Sequence, residues 1–300
     1  MIKSIINTKN INDADVVILS ASYDKTASSQ LGTVYGPKAV VKSLNTQIEF
    51  FDRKSKKEMT DHINTAHVDL GNLNKFSPKQ TFEKINKKAK ELIAKDKFIF
   101  LLGGEHSVSV GVFDAMMNKY NPKDVTILHI DAHCDLRYDD SDYNSKNPSK
   151  YAHSAVMRRA SEMGYPLVQV GIRTYSKDEY EYFNTKKNNV KVFEWSYPAK
   201  KPEKETILKS IKTKYLYISI DVDGFDPSVM PGTGTPVPGG LKWNYGMKLL
   251  MSAVNKKGTM LIGADIVEVS PQPHTTITEY ASAQLLYNII TEKFKNKSKK

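Results

Sequence analysis

Residues 126–135 read TILHIDAHCD, a run of apolar and β-prone residues that ends abruptly in Asp131, His133 and Asp135. An uninterrupted apolar run is typical of a parallel strand buried on both faces. Side chains two residues apart in an extended chain point the same way, so the three polar groups are predicted to converge. Two carboxylates and an imidazole crowded together need a cation, and this donor set suits a divalent metal such as Mn, Zn or Fe. The alternative is a surface turn that is polar by chance.

Two further segments repeat this arrangement. Residues 215–227, YLYISIDVDGFDP, place Asp221 and Asp223 directly after an apolar strand, and residues 98–107, FIFLLGGEHS, place His106 after another. The carboxyl ends of the strands in an open parallel sheet form its binding crevice, so three such ends can meet at one place. The combined inventory of four Asp and two His fits two metal ions that share bridging carboxylates, about 3.5–4 Å apart.

Strands alternate with helices along the chain. Strand-like apolar segments occur at residues 15–20, 66–70, 98–102, 126–130, 167–171, 190–193, 215–220 and 260–267. Segments with helical periodicity separate most of them. The alternation predicts an α/β fold of three layers, α-β-α, around a central, mostly parallel sheet of about eight strands. We find no linker and no internal repeat, so we expect residues 1–300 to form a single domain with a frayed basic tail at residues 293–300.

Composition narrows the classes of function. The 300 residues include one cysteine, which cannot form an internal disulfide, so we expect a reducing, cytoplasmic location. No window of about 18 apolar residues and no signal-type apolar core is present, so no membrane association is expected. The formal net charge is +11, from 44 basic and 33 acidic residues. The lysines are scattered and accompany no nucleic-acid-binding motif, which favours solvated lysine-rich faces over nucleic-acid binding.

The metal-type motifs together resemble the ureohydrolase family, which includes arginase and agmatinase. They are GGEHS (103–107), DAHCD (131–135) and SIDVDGFDP (219–227), and the resemblance continues through PGTGTPVPGGL (231–241) and GADIVEVSP (263–271). It implies an arginase-like fold and a dinuclear manganese hydrolase, in which a metal-bridging hydroxide attacks the guanidinium carbon of a small cationic substrate and urea leaves. It also implies a homo-oligomer, a trimer or a hexamer.

The resemblance assigns the ligands by position. The first Mn²⁺ would be held by His106, Asp131, Asp135 and Asp221, and the second by Asp131, His133, Asp221 and Asp223. Two of the aspartates would therefore bridge the ions, and Asp135 is also counted among the catalytic residues.

Three further residues match family positions. Glu268 corresponds to the glutamate that holds the guanidinium group, and a carboxylate suits this role because it forms a two-pronged, charge-assisted pair. Its alternative is an exposed glutamate at a strand end. His153 corresponds to the histidine that contacts the substrate and relays protons to the leaving amine; its alternative is a helix-capping or core histidine. Thr235 is expected to support the substrate or Glu268 through its hydroxyl, or to serve only in a turn.

Three neighbours of the motifs receive structural interpretations. Glu105 is expected to orient a metal ligand, and Cys134 to pack in the core because alternation turns it away from the ligands. His129 is interpreted as a structural histidine, with contact to a ligand as the alternative.

Within the family, the runs DLR (135–137), HSAVMRR (153–159) and VQVGIR (168–173) look most like agmatinase. Arginases carry an Asn where this chain has Arg137. The expected reaction is therefore hydrolysis of agmatine to putrescine and urea. Arginine, guanidinobutyrate and other guanidino acids remain alternative substrates. An alternative of another class is a catalytically silent member that acts as a binding or scaffold protein.

Overall fold

The computed structural model describes residues 4–297. Its strands are β1 (Val16–Ser22), β2 (Phe51–Asp52), β3 (Lys57–Glu58), β4 (Thr65–Asn72), β5 (Phe98–Gly103), β6 (Val125–Ile130), β7 (Leu167–Ile172), β8 (Val190–Glu194), β9 (Tyr215–Asp221) and β10 (Met260–Val267). Its α-helices are α1 (Gly36–Thr46), α2 (Pro78–Ala94), α3 (Ser109–Met116), α4 (Val156–Glu162), α5 (Lys177–Asn184), α6 (Lys204–Ser210), α7 (Trp243–Val254) and α8 (Ile277–Phe294).

Eight of these strands form one sheet in the order β4-β1-β5-β10-β9-β6-β7-β8. Every neighbouring pair in it is parallel. The predicted α/β fold around a parallel sheet of about eight strands is therefore confirmed. The remaining strands, β2 and β3, form a small antiparallel hairpin. The sequence did not indicate this hairpin because two-residue strands are too short to show an alternating pattern.

The helices cover the sheet on both faces. Along β1, Val16 and Ile18 point into one hydrophobic core, while Val17 and Leu19 point into the other. The first core is closed by α1, α6, α7 and α8, and the second by α2, α3 and α4 with aromatic residues of α5. Strands buried on both faces explain why these segments read as continuous apolar runs.

The order of the sheet places four strand ends side by side. The chain runs outward from β1 to the edge strand β4 and returns to β5 on the inner side of β1. It then crosses to β6, continues outward to β8, and fills the centre with β9 and β10. The four central strands are consequently β5, β10, β9 and β6. A reversal of strand order of this kind opens a crevice at the carboxyl ends of the strands, and this is the edge where the predicted metal motifs lie.

Two glycines permit close approaches at this edge. A Cβ atom at Gly224, just after β9, would lie 2.6 Å from the backbone nitrogen of Asp131. A Cβ atom at Gly104, just after β5, would lie 2.0 Å from the carbonyl oxygen of Tyr23. Only glycine fits where two backbones approach so closely, so these positions allow the strand ends to converge.

The ends of some elements differ from the predictions. The sequence of residues 107–120 predicts one helix, but the structure has a 3-10 turn at His106–Val108 followed by α3, which ends at Met116. In the basic tail, Phe294 packs edge-on against Phe98 and Lys295 pairs with Glu292 at 2.7 Å. Residues 298–300 of the predicted frayed tail lie outside the described residues. Among residues 4–297, no helix is long and apolar enough to cross a membrane.

We expect the sheet interior to dominate stability. Leu101 in β5 is fully buried, whereas Leu31 in the β1–α1 loop is 64% exposed. Replacing Leu101 by alanine should lower the free energy of unfolding by about 2–5 kcal/mol, because the deletion leaves a cavity. The matched variant Leu31→Ala should change it by less than about 0.5 kcal/mol. Urea unfolding monitored by circular dichroism measures both, and equal effects would contradict this core assignment.

Candidate metal centre

Two groups of His and Asp side chains meet at the carboxyl edge of the central strands. In the first, Nδ1 of His106 lies 3.3 Å from Asp131 Oδ2, 3.2 Å from Asp135 Oδ2 and 3.6 Å from Asp221 Oδ2. The structure thus brings the four residues predicted for the first ion together. They follow the ends of three strands, β5, β6 and β9. In the sheet β6 and β9 are adjacent, and β10 separates β9 from β5.

The second group shares Asp131 with the first. Nδ1 of His133 lies 3.4 Å from Asp131 Oδ1 and 3.1 Å from Asp223 Oδ2. The two oxygens of Asp131 therefore face different histidines, which is the geometry that a carboxylate bridging two cations requires. Asp221 lies in the same cluster and its Oδ1 accepts a hydrogen bond from the backbone N–H of Asp223 at 2.9 Å. All six predicted ligands occupy one place.

The charge balance of this cluster fits cations. Its four aspartates are all at most 6% exposed. Burial and the neighbouring carboxylates of Asp223 and Asp131 raise the pKa of Asp221 well above its ordinary value. Burial and Asp131 likewise raise the pKa of Asp135 to about 6. Buried carboxylates that lie close together destabilise one another's ionised form, so they need positive charge nearby. Divalent cations would supply it.

The histidine nitrogens give a second, independent indication. Nδ1 of His106 is buried and has no hydrogen-bond partner among the described residues, although three carboxylate oxygens surround it. Burial alone would lower the pKa of His106, but Asp131, Asp135 and Asp221 raise it well above its ordinary value. A lone pair aimed at carboxylates is unfavourable, so either a proton or a metal ion belongs there. Oxygen and imidazole donors in this number suit a transition metal such as Mn²⁺.

His129 contacts a ligand, contrary to its interpretation as a purely structural residue. Gln169 Nε2 donates to His129 Nδ1 at 2.9 Å and to the carbonyl of Cys134 at 2.7 Å. Because Nδ1 is an acceptor, Nε2 carries the proton and donates to Asp131 Oδ2 at 2.7 Å. A ring nitrogen of His129 lies close enough to the clustered donor atoms to be a candidate metal ligand itself. Both of its ring nitrogens, however, already take part in hydrogen bonds. We therefore assign it to orienting Asp131.

The loop after β9 supports the second group. Thr235 Oγ1 donates to Asp223 Oδ2 at 3.0 Å, so its hydroxyl contacts a predicted ligand. Thr235 also lines the adjacent cavity, so its predicted contact with the substrate stays a prediction. Arg173 holds this loop, because its guanidinium donates to the carbonyls of Asp223 at 2.7 Å and Val237 at 2.6 Å. The glycines and prolines of residues 231–241 let the loop turn back onto the strand ends. This turn brings Thr235 to a position that the sequence pattern alone did not predict.

Glu268 and His153 lie together beside the first group. Glu268 follows β10 with a left-handed φ of 63°, and its Oε1 accepts a hydrogen bond from the backbone N–H of His106 at 2.8 Å. Nδ1 of His153 lies 3.7 Å from the same oxygen. Asp135 also has a left-handed φ, 52°, so the extended alternation assumed for residues 131–135 breaks at its last residue. Residues other than glycine are strained in this left-handed backbone conformation, and such strain concentrates at functional sites.

A cavity of about 300 Å³ opens onto this cluster. Its lining residues include His133, Asp135, Asp221, His153, Thr235, Arg137, Tyr143, Tyr175 and Glu179. Glu268 is 6% exposed and is not among the residues that line this cavity, but its Oε1 lies 3.7 Å from Nδ1 of His153, which does line it. A larger cavity of about 940 Å³ lies between the β2–β3 hairpin, α7 and α8. It contains none of the clustered histidines, so we assign the chemistry to the smaller cavity.

Cys134 and Glu105 are both buried. Cys134 lies in the core between the sheet and α4, as predicted, and forms no disulfide. Glu105 was expected to orient a metal ligand. Instead its carboxylate accepts hydrogen bonds from Ser107 and from Thr26, which lies in the β1–α1 loop. The sequence held no signal for this long-range contact, since Thr26 lies in an otherwise unremarkable polar segment.

Comparisons with known proteins agree with this geometry. A model of the Arginase family matches residues 14–291. The N(1)-aminopropylagmatine ureohydrolase of Synechocystis sp. is 30% identical, with 93% of this chain and 89% of that protein covered. The agmatinase of Bacillus cereus is 28% identical over 94% of this chain and 92% of that protein. The structure of agmatine ureohydrolase from Thermoplasma volcanium superposes with a TM-score of 0.81 at 28% identity, covering 96% of this chain and 92% of that one. The chain belongs to the arginase family, and its relatives are ureohydrolases that cleave guanidino C–N bonds.

Proposed function

We propose that this protein is a dinuclear manganese ureohydrolase that cleaves agmatine to putrescine and urea. The observation that carries the proposal is the pair of His/Asp groups joined by Asp131, of which His133, Asp135 and Asp221 line one cavity. In the reaction, water adds to the guanidinium carbon, the bond from that carbon to the alkyl-bearing nitrogen breaks, and a proton passes to the leaving amine.

The six clustered side chains would hold the metal ions. His106, Asp131, Asp135 and Asp221 form the first set of ligands, and Asp131, His133, Asp221 and Asp223 the second. When bound, two divalent cations lower the pKa of a shared water, so that hydroxide becomes available near neutral pH. His129 and Thr235 fix the orientation of Asp131 and Asp223 through hydrogen bonds, as residues behind metal ligands commonly do.

Glu268 is proposed to hold the guanidinium group. Its Oε1 is anchored by the N–H of His106 at 2.8 Å, which ties the carboxylate to the backbone of a proposed ligand. A carboxylate and a guanidinium pair through two parallel hydrogen bonds, and this orientation would fix the reacting carbon above the ligand cluster.

His153 is proposed to move the proton to the leaving amine. Burial, His133 and His106 lower its pKa to about 3, so its imidazole is neutral at physiological pH. A neutral imidazole can accept a proton at one nitrogen while it gives up another. Its Nε2 is buried and has no hydrogen-bond partner among residues 4–297. That nitrogen is therefore available to a substrate group.

The charge of the cavity supports a substrate with two cationic groups. Arg137 at the wall is paired with Asp142, so its charge is neutralised. Glu179, also at the wall, accepts hydrogen bonds from the backbone N–H groups of Leu136 and Ser176 and is not part of the metal cluster. Beyond the aspartates, Glu179 thus provides one negative group at the wall, and Glu268, which lies against the lining residue His153, provides a second. They suit the guanidinium and the distal ammonium of agmatine better than a guanidino acid.

A longer substrate is the second candidate. The Synechocystis relative bears the name N(1)-aminopropylagmatine ureohydrolase, whereas the Bacillus relative is named agmatinase. Both names describe a guanidino group on a polyamine-type chain, so the proposed chemistry is the same for either. The difference concerns the outer cavity, where Tyr143 and Tyr175 form part of the wall.

Two further expectations belong to this proposal. The free, buried Cys134 supports a cytoplasmic location, where thiols stay reduced. A homo-oligomer, trimer or hexamer, remains a prediction from the family resemblance.

A substrate panel tests the proposal. The Mn²⁺-loaded protein should release urea from agmatine or N(1)-aminopropylagmatine with a kcat/KM roughly 100-fold higher than from guanidinobutyrate, because a carboxylate in place of the distal ammonium faces like charge. Arginine serves as the second comparison. Preference for guanidinobutyrate would overturn the charge argument. Two bound metals without urea from any guanidino compound would favour the catalytically silent alternative.

Asp131 should be the ligand on which both metal sites depend. We expect Asp131→Asn to bind Mn²⁺ at least about 100-fold more weakly, because one substitution removes a bridging charge from both groups. The control is Asp139→Asn, which changes a carboxylate bonded to Ser141 in the solvent-facing loop. Isothermal titration and elemental analysis give affinity and metal content. Unchanged binding of two Mn²⁺ by Asp131→Asn would exclude Asp131 as a bridge.

Glu268 should affect the substrate and not the metals. The variant Glu268→Gln should retain two Mn²⁺ and raise KM for agmatine at least about tenfold, because a charged partner of the guanidinium is lost. Glu205→Gln on the exposed start of α6 provides the matched control. Steady-state kinetics combined with metal analysis distinguish the two roles. If Glu268→Gln strips the metals, then Glu268 supports the metal site and this assignment is wrong.

A further inference from the structure

The β1–α1 loop reaches the cavity at Ser28 and carries the buried Thr26 beside it. Asp24 anchors the loop, because its carboxylate accepts hydrogen bonds from the backbone N–H groups of Gly32 at 2.9 Å and Val34 at 3.2 Å, and from the Asn74 side chain at 2.7 Å. Between these anchors, Ser28 lines the cavity. Thr26 lies between Asp24 and Ser28 and is only 6% exposed.

Thr26 connects three separate parts of the site. Its backbone N–H donates to Glu105 Oε2 at 2.8 Å, and its hydroxyl donates to Glu105 Oε1. The same hydroxyl oxygen accepts from the backbone N–H of His153 at 3.3 Å. Its carbonyl lies 3.5 Å from the hydroxyl of Tyr143, which in turn bonds Ser154 Oγ at 2.9 Å.

The donor and acceptor roles of the Thr26 hydroxyl are fixed by its partners. It has a single proton, which goes to the fully buried carboxylate of Glu105. It must therefore act as the acceptor toward the N–H of His153. The other acceptor position of Glu105 Oε1 takes the hydroxyl of Ser107 at 2.5 Å, and Ser107 directly follows the proposed ligand His106. This chain of bonds fixes where the backbone of residue 153 lies relative to the metal cluster.

We propose that Thr26, held by Glu105, is the positioning residue of His153. This role rests on the proposed function, because it concerns the proton transfer assigned to that histidine. Thr26 contacts the backbone of residue 153, where the 3-10 turn His153–Ala155 begins, and it does not contact the imidazole. Its effect is therefore to hold the start of the turn, so that the ring is presented to Glu268 and to the cavity.

Isosteric substitution isolates the hydroxyl. Thr26→Val keeps the shape but removes both the donor to Glu105 and the acceptor for His153, whereas Thr26→Ser keeps the hydroxyl. We expect Thr26→Val to lower kcat for urea release about 10–100-fold with KM changed less than about threefold and two Mn²⁺ retained, since general acid–base groups contribute roughly 10²–10⁴-fold when correctly placed. Thr26→Ser should recover kcat to within about threefold of the wild type.

A matched control and a double variant separate positioning from general stability. Thr126 is also buried, and its hydroxyl lies 2.7 Å from that of Thr213 at the opposite end of β6; Thr126→Val should leave kcat unchanged. In a His153→Ala background, Thr26→Val should have no further effect on kcat, because the two residues act as a unit.

The outcomes are distinct. The positioning role would be overturned if Thr26→Val lowered kcat as much in the His153→Ala background as in the wild-type background. It would also be overturned if Thr26→Val did not lower kcat in the wild-type background. The proposed function would stand in both cases. A fall in Thr126→Val as large as that in Thr26→Val would equally overturn the positioning role. A wild-type protein that releases no urea would overturn the proposed function, and with it this role.

Discussion

Four buried aspartates at one sheet edge are the constraint on which the rest of the site depends. Each is at most 6% exposed, and burial together with their mutual repulsion raises the pKa of Asp221 well above its ordinary value. Folding tolerates such a cluster only with compensating charge. Protonated His106 and His133 would supply part of it without metal, whereas two divalent cations would supply it with the same histidines as neutral ligands. Metal binding and correct assembly of the strand ends should therefore be closely coupled.

The topology of the sheet makes this cluster possible. Because β9 and β10 are inserted between β5 and β6 late in the chain, the proposed ligands Asp131 and Asp221, which lie 90 residues apart in sequence, end on neighbouring strands. The glycines at the strand ends allow the backbones to approach closely enough. The loops that follow the strands then carry the groups for substrate chemistry. A rigid sheet thus fixes the clustered His and Asp side chains, and the surrounding loops carry the groups proposed to recognise the substrate.

The sequence predicted the α/β sheet, and it predicted that the six metal-type residues lie together. Both predictions rest on local signals, namely the periodicity of apolar residues and the polar residues at the strand ends. Interactions between distant loops leave no such pattern. The contact of Thr26 with Glu105 and the bond from Thr235 to Asp223 could not be predicted for this reason. His129 was the nearest miss: it lies two residues before Asp131 in one strand, so alternation already placed it on the ligand face. The left-handed backbone of Asp135 and Glu268 also escaped prediction, since strain depends on tertiary context.

The central claim is that one carboxylate joins two metal sites. Anomalous diffraction from crystals soaked in Mn²⁺ measures this directly, because it locates each ion independently of activity. We predict two peaks per chain, about 3.5–4 Å apart, one beside Nδ1 of His106 and the other beside Nδ1 of His133, with Asp131 between them. A single peak, or two peaks that share no ligand, would contradict the account.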